Sequence, residues 1–205
     1  MGIGSVNAVL RHCRDTGKKL RVSWLDTHAD FNPSALPSSG KLHGMPVARL
    51  GRFGPRALIE IGGSVPAIGP KAVRQIGTRN VDTGEKRLGH DADLDIFELR
   101  CIDEVGLRHA MALALATIDA NAHLHVRIDV DVLDAAIAPG VGTTVRGGPT
   151  DREAQWCMEL MADTGRLASL DSLEPNPAID VRDATALLAV DPVECLLGKS
   201  TLIHG

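Results

Sequence analysis

Apolar positions along the chain fall into blocks of two periods. Ile3, Val6, Val9, Leu10 and Cys13 recur at helical spacing, and Gly17 falls where such a helix would stop, so a first helix is predicted there. Leu20 to Leu25 reads as a strand ending at Asp26, and a Pro/Ser/Gly-rich loop follows from Asn32 to Gly44. Ala72 to Gly77 predicts a second short strand, followed by a polar turn from Asn80 to Glu85. Asp103 to Ala122, rich in Ala and Leu, predicts the strongest helix, and His125 to Asp129 a strand by its Val/Ile content. Pro149 to Ala162 reads as a helix with Thr150 as N-cap and Glu153 completing a capping box. Arg166 to Leu173 predicts another strand, and Asp183 to Leu197 a last helix that Pro192 should kink. Strands alternating with helices predict an α/β fold with a mainly parallel sheet, and the lack of repeats or linkers predicts one domain over residues 1–205.

Composition narrows the function. With 22 basic and 26 acidic residues the formal net charge is −4, which offers no basic footprint for nucleic acid. The apolar stretches fall far short of the roughly 20 residues that span a bilayer, so no membrane span is expected. The first residues, MGIGSVNAVLRHCRD, lack a basic stretch ahead of an apolar one, so no secretory signal is visible and a cytoplasmic chain is expected. The cysteines at 13, 101, 157 and 195 form no CxxC pair and are expected to be buried thiols in a reducing compartment.

Chemistry concentrates in four segments. In Asp26-Thr27-His28-Ala29-Asp30, three polar side chains alternate directly after a strand and share one face if the chain stays extended. Open parallel sheets place ligand sites at strand carboxyl ends. Two carboxylates and an imidazole suit a divalent metal such as manganese, and a polar loop with a satisfied His is the competing reading. Asp129 and Asp131 again point one way after a strand; adjacent carboxylates repel and lose hydration unless a cation joins them, which favours a metal site over a salt-bridged surface. Asp134 reads as an acceptor for loop N–H groups. His43, on the Gly-bounded loop around Gly40-Lys41-Leu42-His43-Gly44, is either a proton shuttle or an ordinary loop residue. Glu174, just past a strand and ahead of Pro175-Asn176-Pro177, either binds a cationic substrate group or caps the turn.

In order, Asp26-Thr27-His28-Ala29-Asp30, Gly40 to Pro46, Ile137 to Thr143, Gly147 to Ala154 and Glu174 to Pro177 resemble the ureohydrolase family of arginases, agmatinases and their relatives. Arg79-Asn80-Val81-Asp82-Thr83-Gly84-Glu85 looks like the arginase branch. The resemblance implies a three-layer α/β/α fold, a trimer or hexamer, two manganese ions per subunit, and hydrolysis of L-arginine to L-ornithine and urea by a bridging hydroxide. It implies that Asp26 and Asp129 bridge the metals, that His28 and Asp131 ligate one and that Asp30 ligates the other. Asp30 would pass a proton to the leaving amine, His43 would shuttle protons, and Glu174 would pair with the guanidinium. Asn32, Ser39, Asp82, Glu85 and Thr143 fall at substrate-binding positions, where Ser39, Asp82 and Glu85 favour arginine over agmatine.

The sequence also departs from the family pattern. A Gly-Gly-Asp-His-Ser segment, whose His ligates the same metal as Asp30, would fall just ahead of Met1 together with the family's first strands. The expectation for the chain as written is a weakened site at Asp30 and low activity. Thr27 replaces a usual Ala, Lys41 a usual Asn, Pro37 a hydroxyl residue and Asp151 a usual Tyr. Arg127 stands where a small residue is usual, on the same strand face as Asp129, where a cation either pairs with a metal carboxylate or bends to solvent. An impaired homologue serving as a binding or assembly subunit is therefore the alternative to an arginase or agmatinase.

Overall fold

The computed structural model describes residues 2–32, 44–51, 56–60 and 68–200. Helix α1 (Gly2–Asp15) leads into strand β1 (Lys19–Leu25), followed by the short helices α2 (Pro46–Leu50) and α3 (Arg56–Ile59). Next come β2 (Val73–Ile76), α4 (Thr83–Asp91), β3 (Asp95–Phe97), α5 (Leu99–Val105), α6 (Leu107–Leu115) and β4 (Ala122–Asp129). The chain continues through α7 (Asp151–Ala162), β5 (Leu167–Leu173) and α8 (Ala184–Leu196). The five strands pair in parallel in the order β3-β2-β1-β4-β5. Order therefore reverses between β1 and β4, and the crevice at the carboxyl ends of those two strands is where open α/β sheets bind ligands.

Side-chain alternation builds a layer on each face. Leu20, Val22 and Trp24 of β1 join Val6 and Cys13 of α1, Val47 of α2 and Val73 of β2 in one core. Leu25 of β1 and Leu124, Val126 and Ile128 of β4 join Met111 of α6, Met158 and Met161 of α7 and Leu196 of α8 in the other. The result is the expected α/β/α sandwich. Parallel strands covered on both faces must be apolar on both, and Val22 to Leu25 are all buried. Strand β4 breaks that rule. His125, Arg127 and Asp129 are buried on the α1 side, in register with Val22, Trp24 and the end of β1.

Two sequence expectations are corrected. The long helix predicted over 103–122 is two helices, α5 and α6, because Gly106 takes φ +82, where residues with a Cβ are strained. It begins earlier, at Leu99, and ends at Leu115, while Ala122 already belongs to β4. The polar turn expected from Asn80 to Glu85 instead opens α4, with Asp82 as N-cap and Glu85 closing a capping box. That arrangement satisfies two otherwise orphaned backbone donors. The capping box of Thr150 and Glu153 at α7 is as expected. Pro192 lies inside α8, whose first turn is capped by Asp180, accepting from the N–H groups of Thr185 and Ala186. The four cysteines are free; Cys13, Cys157 and Cys195 are buried and Cys101 is half-buried. Among the described residues no helix is long and apolar enough to cross a membrane.

Gly77 ends β2 beside the crevice with φ +88, and a Cβ there would stand 2.6 Å from Val132 Cγ2. Gly77→Ala is therefore expected to cost about 2 kcal/mol through left-handed strain and overpacking. Urea unfolding monitored by circular dichroism should show a lower midpoint with an unchanged slope.

Candidate metal centre

The centre is built where β1 and β4 end side by side. Strand β1 delivers Asp26, and β4 delivers Asp129 as its last residue. The chain then turns tightly on both sides. Asp26 Oδ1 accepts from the His28 N–H at 2.7 Å, and Asp129 Oδ1 accepts from the Asp131 N–H at 3.3 Å. These local bonds swing His28 and Asp131 back toward the strand ends. Asp30 takes φ +50, and its carbonyl accepts from the Val47 and Ala48 N–H groups at the start of α2. Thr27 is fully buried and its hydroxyl donates to the Asp131 carbonyl at 2.6 Å. The added hydroxyl thus ties the two loops together.

Four buried carboxylates meet here, those of Asp26, Asp30, Asp129 and Asp131. They separate into two groups. His28 Nδ1 lies 3.1 Å from Asp131 Oδ2 and 3.5 Å from Asp26 Oδ1. Among the described residues these three form the one His/Cys/Asp/Glu group able to hold an ion, with their ligand atoms within 4.8 Å of one another. One imidazole nitrogen and two carboxylate oxygens suit a borderline divalent ion such as manganese, so the residues present fit one metal. Thr143 donates its hydroxyl to Asp131 Oδ2 at 3.2 Å and orients that carboxylate from outside.

Asp30 and Asp129 face a different cation. Arg127 Nη1 lies 3.2 Å from Asp30 Oδ2 and 3.7 Å from Asp26 Oδ2, and Nη2 lies 3.3 Å from Asp129 Oδ2. The Arg127 side chain is 6% exposed, so it does not bend to solvent. Its guanidinium carbon sits 3.8 Å from the Trp24 ring centroid, a cation–π contact, while the Trp24 indole N–H donates to Asp26 Oδ2 at 3.2 Å. Trp24 was not singled out by its own motif. Its part comes from pairing opposite Arg127 in the β1–β4 register, which no spacing within either strand discloses.

The remaining expected residues scatter around this core. Asp82 and Glu85 form the α4 capping box, and Glu85 Oε1 also accepts from the Phe31 N–H at 3.2 Å. Asn32 donates its N–H to the Gly44 carbonyl at 3.0 Å. Glu174 is exposed just past β5 with φ +71, and a Cβ on Gly142 would come within 3.8 Å of its Oε2. Ser39 and His43, with Pro37 and Lys41, lie outside the described residues. Asp134 acts as the expected loop acceptor, taking N–H groups from Ala136, Gly147 and Gly148. Arg79 carries no individual signal in the sequence. Its guanidinium donates to the carbonyls of Val132 at 2.9 Å, Leu133 at 3.1 Å and Val145 at 2.7 Å, locking the loops that frame Asp131.

Crowding shapes the titration of the metal-free centre. Burial pushes the Asp129 carboxyl up to about 10, reinforced by Asp26 and Asp131 and opposed by Arg127. Burial and Asp26 likewise raise Asp30 well above the usual carboxylate range, against Arg127 and His28. Burial by itself would lower His28, but its hydrogen bonds and charge interactions with Asp131 and Asp26 raise it from 6.5 to about 10.

A carboxylate–imidazole group able to hold an ion, at the switch point of a parallel α/β/α sheet, defines an α/β protein with a candidate metal centre at its strand ends. Residues 1–198 match the Arginase family. The chain belongs to that family. It is 39% identical to the arginase of Brucella melitensis over 204 residues, covering 98% of this chain and 66% of that one. It superposes on the native arginase of Bacillus caldovelox with a TM-score of 0.91 at 36% identity, covering 98% of this chain and 66% of that one. The arginase of Entamoeba histolytica, solved in complex with L-ornithine, gives a TM-score of 0.88 at 28% identity over 97% of this chain and 66% of that one. The chain thus spans about two thirds of the length of these relatives.

In the metal-free protein the folded His28 holds its proton to about 10, whereas an ordinary imidazole releases it near 6.5. That contribution to stability is complete below pH 6.5 and is lost as pH rises through 10, and the raised Asp129 acts in the same direction. Urea midpoints measured in chelator should fall between pH 6 and pH 10. Added Mn²⁺ should reverse the trend, because ligands must shed their protons to bind it. Replacing His28 with Ala should flatten the fall.

Proposed function

We propose that the chain is an amidinohydrolase that converts L-arginine to L-ornithine and urea with manganese as its ion. One observation carries this reading: the Asp26–His28–Asp131 group, with ligand atoms within 4.8 Å of one another, stands at the switch point of a fold shared with arginases. An ion held there supplies Lewis acidity and lowers the pKa of water at the centre. The chain's own residues supply the rest. Glu174 pairs with the substrate guanidinium, where bidentate geometry fixes orientation. Asp30 passes a proton to the leaving amine, and His43 relays protons. Asn32, Ser39, Asp82, Glu85 and Thr143 would take the amino-acid end of the substrate. The arginase solved with L-ornithine supports this choice of amino acid over its decarboxylated analogue. A homo-oligomer in the cytoplasm, acting on a free guanidino compound, completes the reading.

A second reading has a specific observation behind it. Arg127 neutralises carboxylates that the activity would draw on, which favours an impaired homologue acting as a binding or assembly subunit.

The test is urea release from arginine and from agmatine at matched concentrations in excess Mn²⁺. Release from arginine is expected to be the faster, since a site that hydrogen-bonds a carboxylate and ammonium penalises an analogue lacking one of them. Glu174→Ala should cut release from both by 10-fold or more, on the order of a lost charge-assisted pair. Faster release from agmatine would reassign the substrate, and none from either would leave the subunit reading in place.

A further inference from the structure

We infer that Arg127 is a resident cation that takes the place of a second metal ion, so that the chain holds one divalent ion and not a pair. The inference rests on the proposed reading of Asp26, His28 and Asp131 as ion ligands.

The geometry divides the carboxylates by individual oxygens. Asp26 turns Oδ1 toward His28 and Oδ2 toward Arg127. The oxygens facing Arg127 are Oδ2 of Asp26, Oδ2 of Asp30 and Oδ2 of Asp129, at 3.7, 3.2 and 3.3 Å from its terminal nitrogens. An ion ligated by these three residues would have to share the space the guanidinium fills. The guanidinium has no easy exit. Trp24 lies against its face at 3.8 Å, and α1 closes over its stem, where a Cβ on Gly2 would stand 3.3 Å from Arg127 Nε. Nε itself is buried without a hydrogen-bond partner among the described residues. Burying a donor in this way is costly, and it indicates that the terminal nitrogens and their carboxylates dictate the pose.

Charge leads to the same place. Four buried carboxylates with no cation would repel strongly in a medium of low dielectric. With all four ionised, Arg127 offsets one charge and a divalent ion at His28 offsets two more, leaving a single excess negative charge. Adding a second divalent ion beside a trapped guanidinium would invert the sign and place like charges against each other. The neighbouring His28 group suffers no such competition, because Arg127 approaches none of the oxygens nearest His28.

The experiment is a count of ions. Metal-free protein is titrated with Mn²⁺ by calorimetry, and bound Mn²⁺ is examined by electron paramagnetic resonance. The expected result is one ion per chain with the hyperfine pattern of an isolated ion. Arg127→Ser, checked for folding by circular dichroism in Mn²⁺, should gain a second, weaker ion and show the spectrum of a coupled pair. Arg127→Lys, which keeps the charge, should stay at one. Two ions in the unmodified protein would overturn the inference while leaving the ion-ligand reading intact, as would a folded Arg127→Ser that still takes one. Uptake of one ion that survives His28→Ala would overturn the assignment of ligands, and uptake of none would sink both. Should Arg127→Ser fail to fold, the count and spectrum of the unmodified protein still decide between one ion and two.

Discussion

Four carboxylates buried at the ends of two paired strands are the constraint to which the rest of the structure responds. Asp26 and Asp129 are brought together by the β1–β4 ladder, which runs in register from Lys19 opposite Ala122 to Leu25 opposite Ile128. Asp30 and Asp131 are folded back onto them by local turns. Such a concentration of acid is tolerable only with cations at hand or protons retained. The chain uses both: Arg127 lies among three of the carboxylates, and Asp30 and Asp129 hold their protons far above the usual range.

This constraint explains why the α1 face of the sheet is not simply apolar. Arg127 needs a platform, and Trp24 in the adjacent strand provides it while also donating to Asp26. Alongside, His125 is fully buried, with Nδ1 2.8 Å from Ser169 Oγ, and Ser5 of α1 hydrogen-bonds to Asp171 of β5. Burial depresses the His125 imidazole, partly offset by Asp171. A polar strip thus runs beneath α1 from β4 to β5, and α1 is held over it by side-chain hydrogen bonding as well as by its apolar stripe.

The loops beyond the strand ends are fastened by backbone acceptors and donors as well as by packing, with Val130, Val132, Leu133, Ala138 and Val141 buried in the core. Arg79 spans the carbonyls of Val132, Leu133 and Val145, and Asp134 collects three N–H groups from its own turn and from Gly147 and Gly148. Gly148 is small because a Cβ would meet Asp134 N at 2.6 Å. The candidate ligands His28 and Asp131 sit past the strand ends on such loops, where a rigid sheet sets position and hydrogen bonds set direction.

The order of strands and helices was legible because hydrophobic period is a local property. A hydrophobic stretch marked β1, Val/Ile content marked β4, and the Thr150–Glu153 box marked α7. Asp26, His28 and Asp131 were legible as candidate ligands, since acidic and imidazole side chains directly after an apolar strand fall where open parallel sheets place ligand sites. Short elements escaped. β3 has three residues, too few for a period to register, and the Gly106 break between α5 and α6 is a matter of backbone angle. The pairing of Asp30 and Asp129 with Arg127 was beyond local reading. Sequence could place Arg127 on the face of Asp129 and leave its direction open. Only the register that sets it opposite Trp24, and the turn that returns Asp30, decides that the guanidinium points inward. Arg127 and Asp30 lie 97 residues apart in the chain, so tertiary structure alone can say which charges meet.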